Sequence, residues 1–328
     1  MKFALWPLSV LYSFVVRVRA SLYANGWIKQ KRLNGAVISV GNLTVGGTGK
    51  TPMVIWLAEK FLSEGRRVAI LSRGYRGKNG SSDEIEIMKA RLQDRVAFGV
   101  GKNRFAEGQK LAADGSIDIF LLDDGFQHLS LARDVDIVLM DATRQLGKEW
   151  LLPSGRMREP LSALSRADIA VFTRVENVPE ARAALQRFTE FPVFAASTKL
   201  LGFRRLGADA RIWSSEEIGA GPFYSFCGIG NPQAFFHDLT GWGLTLAGEM
   251  AFRDHHRYNQ ADARILQSAA EAAGAKAFVT TEKDAQNLSG VALEQFPVFV
   301  SVISIEVTPE VDFLGAIERI LQERREAA

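Results

Sequence analysis

Apolar runs alternate with helix-spaced segments along the first half of the chain. Five of these runs are almost continuously apolar, which is typical of strands buried on both faces of a sheet. They lie at residues 36–42, 67–75, 118–126, 135–142 and 168–175. Residues 51–65 have apolar positions at helical spacing and end at a glycine. The pattern predicts an α/β fold with a parallel sheet, whose strands end in polar residues along a ligand-binding edge.

The pattern becomes irregular near residue 200 and then resumes as a second, smaller α/β unit. Strands are predicted within 223–231, 277–284 and 297–307, and helices from about 231, at about 259–273 and at about 309–325. We therefore assign residues 31–205 to a larger domain. Residues 206–328 form a smaller α/β domain that includes the last helix.

The first 30 residues form a separate predicted element. No charged residue occurs in the 14 positions from 3 to 16, a run shorter than the roughly 20 apolar residues of a spanning helix. Arg17 follows directly and no clear cleavage site is present, which disfavours a signal peptide. Aromatic residues such as Trp6 and Phe14 suit the headgroup region of a bilayer. We predict an amphipathic helix within residues 1–30 that lies on the membrane; the alternative is a helix packed on the protein's own core.

Positive charge is concentrated at the start of the chain. Seven basic residues precede the first acidic one, Glu59, whereas the rest of the chain has 33 basic and 37 acidic residues. A nucleic-acid partner usually requires a broader basic surface, so none is predicted. Anionic lipid is the better match for a basic N-terminal segment. The single cysteine, Cys227, excludes a disulfide framework and fits a reducing cytoplasm.

The stretch TVGGTGKTP, residues 44–52, lies between a predicted strand and a predicted helix, which is the context of a phosphate-binding P-loop. Lys50 is expected to reach the β and γ phosphates of ATP, and the Thr51 hydroxyl to bind Mg²⁺. Thr44 stands where the usual pattern has glycine. The residues expected to surround the phosphates are Gly46, Gly47, Thr48, Gly49, Lys50 and Thr51.

Two adjacent acids, Asp123 and Asp124, end the strand within FLLDDGFQH. Beside a P-loop, either carboxylate can hold Mg²⁺ directly or through water, and the alternative is a loop whose aspartates cap the next element. A guanine-specific GTPase carries the motif N/T-K-x-D, but TEKD at residues 281–284 has these letters in the wrong order. Membrane-cycling ATPases of the partitioning type carry a lysine just before the paired glycines of the P-loop, where this chain has Val45. Both classes are therefore disfavoured. A kinase is favoured.

A kinase also needs a carboxylate or imidazole near the acceptor hydroxyl. Asp83, in SSDE, is one candidate, and the segment Asp254-His255-His256 is another. Spacing alone does not choose between them.

Together these motifs resemble the tetraacyldisaccharide 4′-kinase, or lipid A 4′-kinase, family. The matching segments follow the family order and span nearly the whole chain. They are residues 39–52, 71–78, 81–84, 121–141, 151–164, 226–236, 252–258 and 279–288. Two positions depart from the family pattern, since Arg76 and Ser82 stand where many members have glycine.

The resemblance implies transfer of the ATP γ-phosphate to the 4′-hydroxyl of a tetraacylated glucosamine disaccharide 1-phosphate. It implies a peripheral protein at the cytoplasmic face of the bacterial inner membrane, with the N-terminal helix as its membrane-binding part. No protein partner is predicted. It also implies a P-loop domain joined to a smaller α/β domain by a short two-stranded linker. A membrane-associated P-loop ATPase switch, or a kinase for another lipid alcohol, remains the alternative.

The resemblance also implies roles for individual residues. Asp83 would accept the proton of the sugar hydroxyl and His255 would orient or tune that carboxylate. Glu159 would assist Asp123 and Asp124 at the metal. The expected contacts to substrate or phosphate are Arg73, Gln127, His128, Arg156 and Asp254.

Overall fold

The computed structural model describes residues 5–74, 82–144, 149–175, 191–208, 211–219, 221–288, 290–293 and 295–327. Contacts divide the chain into two compact units, Met1–Thr198 with Ile305–Ala328, and Lys199–Ser304. The chain passes from one unit to the other within one strand and returns within another. Arg76 and Ser81, which belong to the family segments, lie outside the described residues.

The first unit is built on a parallel sheet, which confirms the predicted fold class. Its strands have the order β3-β2-β4-β1-β5-β6-β7. The elements are α1 (Trp6–Ala24), β1 (Ala36–Asn42), α2 (Lys50–Ser63), β2 (Val68–Ser72), α3 (Asp83–Leu92), β3 (Ala97–Val100), α4 (Arg104–Asp114), β4 (Ile119–Asp123), β5 (Val135–Asp141), β6 (Ile169–Thr173) and β7 (Val193–Arg205).

Continuous burial explains the continuous apolar runs. Every residue of β1, β2, β4, β5 and β6 is buried, because helices cover the sheet. Helix α2 turns Met53, Leu57 and Phe61 into the core. The strands predicted at 67–75 and 118–126 end earlier than expected, at Ser72 and Asp123. Residues 73–74 and 124–126, which follow these strands at the carboxyl edge of the sheet, are not part of a strand.

The second unit has its own parallel strands, in the order β11-β10-β8-β9. Aromatic side chains fill its core, and the Phe226 ring packs edge-on against Tyr258 and Phe278. The elements after β7 are α5 (Ser215–Ile218), β8 (Phe223–Cys227), α6 (Pro232–Gly241), β9 (Leu246–Ala251), α7 (Gln260–Ala272), β10 (Ala277–Thr281), α8 (Glu282–Asn287) and β11 (Val298–Thr308).

The last helix, α9 (Glu310–Glu326), belongs by its contacts to the first unit. The predicted domain 206–328, which included it, therefore needs correction. Phe313 lies edge-on to Phe194 with ring centroids 5.1 Å apart, and Glu310 pairs with Lys60 of α2. An amphipathic helix needs an apolar partner surface, but its sequence does not say which of two units supplies that surface.

Helix α1 presents an unusual surface. Ser9 is its one buried residue, whereas large apolar side chains such as Leu11 and Phe14 are 59% and 64% exposed. Among the described residues, no helix is long and apolar enough to span a bilayer.

Candidate active site

The P-loop joins the carboxyl end of β1 to the amino end of α2. Gly46 and Gly49 have φ angles of 113° and 83°. Residues other than glycine adopt such angles only at a cost in conformational energy. At Gly46 there is also no room, since an added Cβ would lie 2.5 Å from Nη2 of Arg156. Gly47 has no neighbour within 4 Å of such a Cβ among the described residues, so the open face of the loop lies there.

Neighbouring strands hold the loop in place. The Asn42 side chain donates to the Thr48 hydroxyl at 2.8 Å, and the Thr173 hydroxyl, at the end of β6, donates to the Thr48 carbonyl at 3.2 Å. Arg156, a predicted phosphate contact, donates from its guanidinium to the Val45 carbonyl at 3.1 Å. The guanidinium of Arg156 therefore lies directly against the loop.

Helix α2 begins at Lys50, with Thr51 in its first turn and no acid there. The free N–H groups and the dipole of a helix amino end attract anions such as phosphate. Lys50 Nζ lies 3.6 Å from Oδ1 of Asp124, so a cation and a carboxylate face each other at the head of the helix.

Asp123 lies behind this pair as the last residue of β4. Its side chain is buried and accepts a hydrogen bond of 3.0 Å from the Ser72 hydroxyl at the end of β2. Burial, reinforced by the Asp124 carboxylate, raises the pKa of Asp123 to about 6. Burial acts in the same direction on Asp124, but Lys50 and Arg158 outweigh it and hold the pKa of Asp124 below its usual value.

Arg158 is a site residue that the sequence reasoning missed. Its Nη1 donates to both carboxylate oxygens of Asp124, at 2.8 and 2.7 Å, and lies 3.3 Å from Oε1 of Gln127. It stands next to Glu159 in the REP motif, and that position was the sequence feature from which it could have been found.

Glu159 is buried, with 3% exposure. One of its oxygens accepts from Arg166 at 2.8 Å, and Oε1 has no hydrogen-bond partner within the described part of the chain. Arg166 in turn lies over the Phe126 ring at 4.5 Å. The unpaired oxygen is compatible with a polar ligand, and the role of Glu159 at the metal stays a prediction.

Gln127 and His128 lie within a basic cluster. Gln127 donates to the Asn42 carbonyl at 2.9 Å. Nδ1 of His128 is 3.3 Å from Nη1 of the buried Arg104, and because a guanidinium only donates, Nδ1 accepts. Burial, together with the charges of Arg104 and its basic neighbours, among them Arg73, lowers the pKa of His128 to about 4. The ring is therefore neutral at neutral pH.

The predicted base and its partner come from different parts of the chain. Asp83 is the first residue of α3 and belongs to the first unit. His255 belongs to the second unit, where its backbone N–H donates to the Gly228 carbonyl at 3.0 Å and its backbone φ angle is 59°. Asp254 pairs with Lys283 at 2.8 Å. The roles of all three stay predictions.

The raised pKa of Asp123 gives a stability prediction. An acid whose pKa is higher in the folded state destabilises the fold above that pKa, and this cost disappears as the pH falls through it towards the unfolded value near 4. In the nucleotide-free protein we expect Asp123→Asn to raise the free energy of unfolding by about 1–3 kcal/mol at pH 8 and by about zero at pH 4. Urea titrations at both pH values measure it. Asp94→Asn, at an exposed position, is the control, and a gain at Asp123 that is equal at both pH values would contradict the assignment.

Comparison with known proteins decides the family. The sequence profile of tetraacyldisaccharide-1-P 4′-kinases matches residues 1–322. The chain belongs to this family.

A tetraacyldisaccharide 4′-kinase from Geobacter metallireducens is 36% identical over 334 residues, 96% of each chain. One from Syntrophobacter fumaroxidans is 40% identical over 283 residues, which are 80% of this chain and 74% of that one. The crystal structure of LpxK from Aquifex aeolicus in complex with ATP superposes with a TM-score of 0.77 at 31% identity, covering 98% of this chain and 99% of that chain.

Membership of the tetraacyldisaccharide 4′-kinase family confirms the resemblance carried by the motifs. The protein is an ATP-dependent lipid kinase that phosphorylates the 4′-hydroxyl of a tetraacylated disaccharide 1-phosphate in lipid A biosynthesis, with Mg²⁺ as its metal. A switch ATPase is thereby ruled out as its main activity.

The residues of this kinase fit Mg²⁺. The metal commonly takes one or two carboxylates, substrate phosphates and several waters, rather than an all-protein cage. At the carboxyl edge of the sheet and the head of α2, Asp123 and Asp124 carry carboxylates and Thr51 carries a hydroxyl, which are donors of the kind that Mg²⁺ prefers. Among the described residues no group of three or more acidic, histidine or cysteine side chains could hold a metal by itself.

Proposed function

We propose that Lys50, Thr51, Asp123 and Asp124 form the phosphoryl-transfer site of this kinase. The observation that carries the proposal is the 3.6 Å pair of Lys50 and Asp124 at the head of α2, with the buried Asp123 beside it. Lys50 offsets negative charge on the moving phosphoryl group. Asp123, Asp124 and the Thr51 hydroxyl hold Mg²⁺, which when bound offsets charge on the β and γ phosphates. Glu159 assists this metal site.

Asp83 acts as the general base of the reaction. It takes the proton from the 4′-hydroxyl as the bond to phosphorus forms, which is the role of a positioned carboxylate in kinases. Its place at the amino end of α3 and its spacing in the family motif support this assignment. The role we propose for His255 is to orient that carboxylate during the reaction.

The disaccharide and its phosphates are bound by a set of polar and basic side chains. Arg73, Arg104 and His128 share one basic cluster, and the coulombic effect of Arg73 reaches both of the others. A neutral His128 whose Nδ1 accepts from Arg104 carries its proton on Nε2, which lies 3.2 Å from the Ser130 hydroxyl and can donate to the oxygen of a sugar hydroxyl. The proposed contacts are Arg73, Gln127, His128, Arg156 and Asp254.

Helix α1 attaches the enzyme to the membrane in which its lipid substrate lies. The helix directs polar side chains towards the protein and leaves Leu8, Leu11, Phe14 and Val15 more than half exposed. Such a surface suits the interface of a bilayer, where apolar side chains enter the acyl region. Because ATP is a cytoplasmic substrate, we infer that the enzyme acts at the cytoplasmic face of the inner membrane.

This attachment gives a direct prediction. The double variant Leu11→Glu/Phe14→Glu is expected to bind vesicles of phosphatidylglycerol and phosphatidylethanolamine at least about tenfold more weakly, because it replaces two inserting apolar side chains by charges. Cosedimentation measures it. The matched control is Ile265→Glu/Val311→Glu, which changes side chains that are 54% and 81% exposed outside α1. Equal vesicle binding by both double variants would remove α1 as the attachment site.

A further inference from the structure

Helix α1 is joined to the body of the protein by a stripe of polar side chains. Ser9 and Tyr12 lie one turn apart, and Arg19 follows on the same side of the helix. The Arg19 guanidinium donates to the Gln127 carbonyl at 3.2 Å. Most of the large apolar side chains between them are exposed, although Val16 is partly buried, so these hydrogen bonds help to set the position of α1.

Ser9 and Tyr12 both bond to one segment, residues 151–158, which we call the docking segment. The Ser9 hydroxyl donates to the Leu151 carbonyl at 3.0 Å and accepts from the Ser154 N–H at 3.1 Å. The Tyr12 hydroxyl donates to the Arg158 carbonyl at 2.9 Å. One face of α1 therefore contacts the docking segment at its first residue, near its middle and at its last residue.

The other side of the docking segment pairs with the start of the P-loop. The Arg158 N–H donates to the Leu43 carbonyl at 2.7 Å, and the Val45 N–H donates to the Arg156 carbonyl at 2.8 Å. A movement of this segment therefore moves the entry to the phosphate loop, because the backbones are bonded directly.

The side chain of Arg158 continues the connection into the site. It holds both oxygens of Asp124, whose Oδ1 lies 3.6 Å from Lys50 Nζ. Tyr12 thus bonds to the carbonyl of the same residue whose guanidinium fixes Asp124. The contacts form one continuous path from the exposed helix to the lysine of the P-loop.

We propose that Tyr12 is a positioning residue for phosphoryl transfer, because its hydrogen bond to Arg158 holds the guanidinium of Arg158 on Asp124. The proposal rests on the roles proposed above for Lys50 and Asp124. It makes α1 a part of the catalytic architecture as well as a membrane attachment. Loss of the Tyr12 hydroxyl leaves the ring in place and frees the Arg158 carbonyl, so that Asp124 loses part of its orientation.

The test is the full-length Tyr12→Phe enzyme, assayed in mixed micelles with saturating ATP and lipid. A single neutral hydrogen bond corresponds to about a fivefold change in an equilibrium, so kcat is expected to fall about fivefold. The KM for lipid and the binding to anionic vesicles should stay within twofold of wild type. Tyr23→Phe makes the same chemical change on the same helix, at a hydroxyl with no hydrogen bond among the described residues, and should keep wild-type kcat.

A double-mutant cycle separates positioning from general stability. If Tyr12 acts through Arg158, Tyr12→Phe changes kcat less than about twofold in an Arg158→Met background. An equal fivefold loss in both backgrounds, or a loss of vesicle binding with unchanged kcat, overturns the proposal. The proposal is also overturned if Tyr12→Phe leaves kcat unchanged while Arg158→Met lowers it. In that case the proposed phosphoryl-transfer site of Lys50 and Asp124 is retained. If Arg158→Met and Lys50→Ala both keep wild-type kcat, the proposed site itself fails and the role of Tyr12 fails with it.

Discussion

Replacing Lys50 by alanine is expected to lower kcat by about 10³-fold or more. Lys50 faces Asp124 at the head of α2, and electrostatic stabilisation of the transferred group, to which such a cation contributes, is usually the largest single term in catalysis. The ammonium acts on charge that develops in the transition state, so the loss should appear mainly in kcat and less in the KM for ATP. Initial rates of lipid phosphorylation with labelled ATP measure it.

A lysine on the same helix provides the control for Lys50→Ala. Lys60 lies in the last turn of α2, where it pairs with Glu310 and lies over the Trp56 ring. We expect Lys60→Ala to lower the stability slightly and to keep kcat within about twofold, because surface ion pairs contribute little. A Lys50→Ala enzyme that retains more than about a tenth of wild-type kcat would exclude Lys50 from the reaction.

Replacing Asp83 by asparagine is expected to lower kcat by about 10²–10⁴-fold, the usual contribution of a positioned general base. Asparagine keeps the shape of the side chain and is tolerated at the start of a helix, so the fold should persist. Initial rates of lipid phosphorylation with labelled ATP measure the effect.

Glu86→Gln is the matched control for Asp83→Asn. Glu86 is another acid in the first turn of α3, and it pairs with Lys89. Its neutralisation should keep kcat within about twofold of wild type. Asp83→Asn with wild-type kcat would mean that another group accepts the proton, and the Asp254-His255 segment would be the next candidate.

The central strands and the P-loop could be predicted from the sequence because their determinants are local. A strand buried on both faces must be apolar throughout, as β1 and β5 are. The glycines of the loop are required by the backbone angles at Gly46 and Gly49. Local chemistry of this kind can be recognised without knowing the fold.

Features that depend on distant contacts could not be predicted. Arg158 meets Asp124 across 34 positions of the chain, and no local pattern encodes that pairing. The attachment of α9 to the first unit depends on Phe313 and its distant aromatic neighbours. For α1, composition predicted a membrane-facing helix, but the polar contacts of Tyr12 and Ser9 became visible only with the docking segment in place.

The most direct test of the account is transfer of labelled γ-phosphate from ATP to tetraacyldisaccharide 1-phosphate in mixed micelles containing Mg²⁺. The account predicts a labelled lipid with the phosphate on the 4′-hydroxyl, formed by the wild-type enzyme and lost with Lys50→Ala. Hydrolysis of ATP without lipid labelling, or labelling that survives in Lys50→Ala, would contradict it.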